Sequence, residues 1–201
     1  MQPVRPALYN RGMSRYRKPH VLGVDDGAFH PGQSRPVPVI GVLMAGNDQV
    51  EAVVRTEFPR DGDQATEFLA GWIPQLHLYP SLQALLLGGI TIAGLGIIDL
   101  AVLSRELARP VIAVTRKQPG AKKLEVALDA AGLAGRKQIA RRGIRYQPGW
   151  EGVYLACAGI ERDAAIQLLR PCCQKSRLPE PLRLAHLIGR ALLDGESRGR
   201  A

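Results

Sequence analysis

Cysteine is scarce in this 201-residue chain: Cys157, Cys172 and Cys173 make an odd number and show no Cys-x-x-Cys spacing. That excludes a disulfide framework and a cysteine zinc site as organising features. No apolar run approaches the roughly 18 residues that a membrane-spanning helix requires. The opening stretch MQPVRPALYNRGMSRYRKPH has no short apolar core of the secretory type. A cytoplasmic protein without membrane contact is expected. Gly-x-Ser-x-Gly, Gly-x-Gly-x-x-Gly and the Walker phosphate loop are all missing, and Gly88-Gly89-Ile90 lacks the Lys-Ser/Thr that would make it a phosphate loop. The four histidines, His20, His30, His77 and His186, are scattered and form no ligand motif. There is no internal repeat and no low-complexity tract.

What is present describes a globular chain. Hydrophobic residues make up 46% and charged residues 22%, which is enough apolar material for a core. The length fits one domain, expected over residues 20–201 after a basic arm at 1–19. Net charge is +9, and its distribution matters more than its size. Residues 1–19 carry five Arg or Lys and no acid, residues 25–67 carry eight acids against three arginines, and residues 116–145 carry nine Arg or Lys against two acids. A basic surface beside an acidic centre suits a polyanion-processing metalloenzyme, because cations neutralise phosphates while carboxylates hold a metal. Basic charge for solubility or weak RNA contact is the plainer alternative.

Hydrophobic periodicity predicts an α/β order. Val21–Val24 reads as a strand ending at Asp25-Asp26-Gly27. After a proline-rich link over His30–Pro38, Val39–Met44 and Val50–Val54 read as hairpin strands around Gly46-Asn47-Asp48. Apolar residues recur at helical spacing over Gln64–Leu76, with Asp63 as the expected N-cap. Leu82–Leu87, Pro110–Thr115 and Val153–Ala158 read as strands. Asp99–Ala108, Lys122–Ala131, Arg136–Arg142, 162–172 and 181–193 read as helices. Early neighbouring strands imply an antiparallel meander, and the later alternation implies parallel strands with helices on the sheet.

Carboxylates near strand ends are the candidate chemistry. Asp25 and Asp26 are adjacent on a strand, so their side chains should leave opposite faces and only one can join a given site. The pair is equally explained as a turn. Asp61 and Asp63 add carboxylates at a strand-to-helix junction, where capping accounts for Asp63 without any function. Two acidic clusters converging on Mg²⁺ or Mn²⁺ would activate water and steady the charge of phosphodiester cleavage. Asp25 is expected to face the same side as the Asp61–Asp63 turn. Arg116 and Lys117 follow a strand at the end where α/β ligands bind, and Arg116 suits bidentate phosphate contact. Arg136, Lys137, Arg141 and Arg142 complete the expected nucleic-acid-binding surface.

Several strings together resemble the endonuclease dU family, a mainly archaeal family long regarded as a domain of unknown function. They are His20–Gly27, Asp61–Thr66, Gly89–Gly94, Pro110–Lys117 and the tail Pro179–Ile188 through Gly195–Ala201. The resemblance covers nearly the whole chain beyond the arm. Through the family's distant relation to endonuclease V it implies a ribonuclease-H-like mixed sheet, its first three strands antiparallel, flanked by helices. It also implies Mg²⁺-dependent cutting of nucleic acid, DNA ahead of RNA, in repair of deaminated or damaged bases. Asp25 matches the first-strand metal aspartate, Asp61 or Asp63 the second acidic position, and Arg116 the place of an endonuclease V lysine. One departure stands out. The family's Leu-Asp-Gly-Ile reads Leu87-Gly88-Gly89-Ile90 here, so glycine replaces a metal carboxylate, and Gly94-Leu95-Gly96 replaces the family's Gly-Phe-Asn. A missing ligand should weaken metal binding. Either an acid such as Asp99 compensates, or this chain is a catalytically inactive nucleic-acid-binding protein of the same fold.

Overall fold

In the computed structural model, which describes residues 18–27, 35–143 and 145–197, the first three strands run as the alternation predicts. β1 (His20–Asp26), β2 (Val37–Ala45) and β3 (Gln49–Phe58) form an antiparallel meander. Of the expected basic arm only Lys18 and Pro19 belong to the described residues. His30 and the end of the tail string, 198–201, lie outside them.

α1 (Ala65–Trp72) follows, and a single 3₁₀ turn extends it to Gln75. Asp63 is not its N-cap. Gln64 takes that place in a left-handed conformation without a side-chain cap bond. The chain then enters β4 (Ala84–Leu87), parallel to β1, and a small hairpin of β5 (Thr91–Ile92) and β6 (Gly96–Ile97). α2 (Leu100–Leu107) starts where the Asp99 carboxylate accepts the Ala101 and Val102 N–H groups at 3.1 Å. A carboxylate placed there satisfies two donors that the first turn leaves open. β7 (Val111–Thr115) lies parallel to β4. α3 (Ala121–Ala130), α4 (Lys137–Gly143), β8 (Gln147–Pro148), β9 (Tyr154–Ala158), α5 (Arg162–Leu169) and α6 (Glu180–Asp194) complete the order.

The main sheet runs β3-β2-β1-β4-β7-β9-β8. The parallel arrangement expected of the later strands stops at β7, because β9 pairs with it antiparallel, Tyr154 opposite Thr115. The segment between them re-enters the sheet at the end where β7 leaves it, so β9 must run back.

The pleat sorts side chains onto two covered faces. Leu22, Val24, Leu85, Leu87 and Ala113 pack against Leu69 of α1 and Leu100, Leu103 and Leu107 of α2. Val21, Ala84, Leu86, Ile112, Val114 and Leu155 pack against Ala165, Leu168 and Leu169 of α5 and Leu182 of α6. Fully burying one such leucine contributes about 1.5–3 kcal/mol. α6 lies directly on β1: a Cβ on Gly23 would meet the Pro181 and Leu182 backbone at 2.4 Å, so only glycine allows this approach. No helix among the described residues is long and apolar enough to cross a membrane.

Candidate functional site

Asp25 and Asp26 end β1, and the pleat sends them apart as their adjacency requires. Asp25 leaves on the α6 face, where its Oδ2 lies 2.8 Å from His186 Nδ1. Asp26 leaves on the α1/α2 face, where its Oδ2 accepts the Ala93 N–H at 2.7 Å. β1 and β4 are in register with Val24 beside Leu87, so Asp25 and Gly88 are neighbours one step further on. A Cβ on Gly88 would lie 2.7 Å from Asp25 Oδ1. Position 88 therefore points at the Asp25 carboxylate, and glycine leaves that direction without a side chain.

His186 was hidden from sequence reasoning. It stands 161 positions from Asp25, and only the seating of α6 on β1 joins them. The bond to Asp25 raises the imidazole pKa above its ordinary 6.5, against the effects of burial and of the nearby charges of Arg190 and Arg116. A raised imidazole pKa means that the pair stabilises the fold fully on the acid side and that this contribution fades as pH rises through the titration. The His186 ring resonances should accordingly titrate above those of a free imidazole. In Asp25→Asn that elevation should shrink, because the bond is then to a neutral amide. An unchanged NMR titration would show that the two side chains do not pair in solution.

Asp61 and Asp63 are held elsewhere. Asp61 Oδ1 accepts the Leu95 N–H at 2.8 Å, and its own N–H donates to the Ala93 carbonyl. This ties the turn to the 93–95 loop that Asp26 also holds. Asp63 is 81% exposed and takes an ion pair from Arg136. Among the described residues neither contacts Asp25 or His186, so the structure joins Asp61 to Asp26's loop and not to Asp25. The physical reason is again the period of two along β1, which places the turn's attachments on the face opposite Asp25. Asp99, the candidate substitute acid, caps α2 and pairs with Arg142 at 3.3 Å.

The donor set bears on the metal that the family implies. Mg²⁺ takes an octahedron of oxygens and is usually anchored by one or two carboxylates beside substrate phosphates. Here Asp25 offers one carboxylate, already bonded to an imidazole, and the described residues contain no group of three His, Cys, Asp or Glu side chains able to hold a metal. These residues do not fit a tightly held Mg²⁺.

Arg116 leaves the end of β7, close enough to His186 for its charge to disfavour the imidazolium. It also lines an open cleft of about 660 Å³ with Trp150, Glu151, Arg170, Lys175 and Arg177. Lys117 follows, its carbonyl accepting the Thr115 hydroxyl. Arg136, Lys137, Arg141 and Arg142 lie on the α3–α4 side, each paired with an acid: Asp63, Asp129, Glu125 and Asp99 respectively.

The endonuclease dU family model matches residues 17–193. The chain belongs to the endonuclease dU family. A relative named UPF0215 protein from Methanosarcina barkeri is 35% identical over 185 residues, covering 90% of this chain and 94% of the relative. Among solved structures, a protein of unknown function from Archaeoglobus fulgidus superposes with a TM-score of 0.79 at 27% identity, covering 87% of this chain and 98% of that one. Endonuclease V from Ciona intestinalis, solved with a 24mer DNA containing an inosine followed by a ribo-adenosine, superposes with a TM-score of 0.56 at 16% identity. That match covers 90% of this chain and 87% of the Ciona protein. The endonuclease dU chain thus shares its mixed sheet and flanking helices with endonuclease V, as the family resemblance implied.

Proposed function

We propose that this chain is a cytoplasmic nucleic-acid-binding protein on a ribonuclease-H-like nuclease fold, one domain over residues 20–201, in which phosphodiester cleavage is slow or lost. The observation that carries this reading is the approach of position 88 to Asp25. The spot from which a second carboxylate would face Asp25 belongs to a glycine. Without that charge, Mg²⁺ or Mn²⁺ is held weakly, and the remaining residues are better suited to grip a phosphate than to activate water. Arg116 offers a bidentate contact to a backbone phosphate. Asp25 keeps His186 charged to higher pH, which adds a second cation beside it.

Membership of the endonuclease dU family and a fold shared with a DNA-bound endonuclease V support nucleic acid as the partner; that DNA is preferred to RNA is part of this proposal. The Asp25–His186 pair favours a second reading, an active metal-dependent endonuclease of deaminated or damaged DNA.

A panel of inosine-, uracil- and mismatch-containing oligonucleotides with Mg²⁺ or Mn²⁺ separates the two. The expected result is binding that falls steeply with salt, with turnover far below the roughly 1 s⁻¹ of ordinary enzymes. Turnover at about that rate or faster on any substrate would sink the first reading and establish the second.

A further inference from the structure

The two ends of the main sheet are finished differently. At one end β8 (Gln147–Pro148) is two residues long and closes on a proline, which cannot donate to a further strand. At the other end β3 (Gln49–Phe58) is ten residues long and contains neither proline nor lysine. Among the described residues it pairs only with β2. That pairing shifts register between Leu43 and Met44, leaving Glu51 without an opposite residue, and is then continuous from Ala52 to Phe58. Along this regular stretch the outer backbone donors and acceptors form a template for another strand.

The pleat gives the stretch two unlike faces. Ala52, Val54 and Phe58 belong to the core on the α1 side. Val53 and Arg55 stand opposite Val42 and Ile40, which α6 covers, but α6 does not reach β3, and Val53, Arg55 and Glu57 are exposed. Arg55 and Glu57 pair with each other there. In an antiparallel pairing of β3 with a second β3, opposite residues share a face. A two-fold axis at Thr56 sets Arg55 against the partner's Glu57, and Glu57 against the partner's Arg55, on the α6 side. On the α1 side it sets Thr56 against Thr56 and Val54 against Phe58. Opposite charges, paired threonines and a β-branched residue beside an aromatic are the cross-strand pairs that stabilise sheets. An axis one residue earlier would oppose two arginines.

We propose that β3 is a dimerisation edge: two copies of this chain join antiparallel across a two-fold axis at Thr56, so that their main sheets continue as one. The contact is isologous, each copy giving the same strand to the other. Charge complementarity selects the occupant, because the order Arg55-Thr56-Glu57 reads as its own complement when the strand is reversed. Both copies of α6 then lie on one side of the joined sheet. Nothing in this assignment depends on what the Asp25–His186 site does.

Sedimentation of the full chain over a concentration series should show an equilibrium between the 21.8 kDa chain and twice that mass. Each single reversal, Arg55→Glu or Glu57→Arg, opposes like charges twice across the axis and should weaken the dimer on the order of tenfold or more. Mixing the two variants should restore a dimer, because the acids of one then face the arginines of the other. The double reversal Arg55→Glu/Glu57→Arg keeps the pairing within each strand and across the axis, and should dimerise like the unaltered chain. Thermal unfolding confirms that each variant is folded. A chain that stays monomeric up to about 1 mM overturns the proposal. A dimer indifferent to both single reversals overturns it too, since association then uses another surface. So does a mixture of the two variants that associates no better than either alone, because charge pairing at this register would then not be what joins the copies.

Discussion

Gly88→Asp should convert this protein into a markedly better Mg²⁺ binder, and it should do so by first making the metal-free protein less stable. Gly88 does not have a left-handed φ, so aspartate meets no backbone strain there. Its Cβ would, however, lie 2.7 Å from Asp25 Oδ1, so Asp25 must turn away and give up some of its bond to His186. Two carboxylates side by side also repel. Together these effects should cost about 1–3 kcal/mol without metal. Mg²⁺ between the two carboxylates reverses the balance: at a hundred times its Kd a ligand stabilises by about 2.7 kcal/mol. The expected result is therefore a lower Tm in EDTA and a Mg²⁺-dependent recovery that the unaltered chain does not show. Cleavage of a deaminated oligonucleotide should rise with it. Adding Asp25→Asn should remove both gains, since Mg²⁺ is then left with one carboxylate. A folded Gly88→Asp protein whose Tm ignores Mg²⁺ would mean that position 88 is not a vacated ligand position, whatever its activity.

The residues that were legible in the sequence are those whose neighbours lie close along the chain. The β1–β3 meander follows from short apolar runs and the Gly46-Asn47-Asp48 turn, and the opposed directions of Asp25 and Asp26 follow from the period of two. Contacts made across the fold were not legible. The meeting of Asp25 and His186 depends on α6 seating against Gly23, and no local pattern around either residue announces it. The string Pro179–Ile188, distinctive for the family, was the one available signal, and His186 lies within it. The ion pairs of the cations of 136–142 were not legible for the same reason. Their partners Glu125 and Asp129 come from α3, and Asp63 and Asp99 from far earlier in the chain, so a basic run in sequence became a paired surface in space. Arg170, Lys175 and Arg177 meanwhile are spread through a mixed segment without a basic run, yet gather around Arg116. Even the direction of β9 needed the structure, because helices alternating with strands read as parallel crossovers until the re-entry point is known.

Asp26→Asn should make the protein more stable at neutral pH, although it alters a carboxylate that accepts a backbone N–H. Burial, and secondarily the charge of Asp25, push the Asp26 carboxyl from 3.8 up to about 6, while the bond from the Ala93 N–H pulls the other way without prevailing. A carboxyl whose folded pKa is raised holds its proton more tightly in the native state than in the unfolded one. Its stabilising contribution is therefore complete below about pH 4 and is lost as pH rises through about 6. A rise from 3.8 to about 6 corresponds to about 3 kcal/mol of destabilisation by the ionised group at pH 7. Asparagine keeps an oxygen to accept the Ala93 N–H and removes the charge. Its new N–H donors also need partners, which reduces the gain, and a net stabilisation of about 1–2 kcal/mol is expected. The variant should also lose the decline in stability between about pH 4 and 6.5 that the unaltered protein shows. Urea unfolding at acid and neutral pH reads both effects. Asp25→Asn, which removes only the smaller, charge-borne share of the elevation, should flatten the same decline less than Asp26→Asn does. If Asp26→Asn is less stable than the unaltered chain at pH 7 and the decline persists, the Asp26 carboxylate is ionised at little cost and the loop at Ala93 depends on its charge.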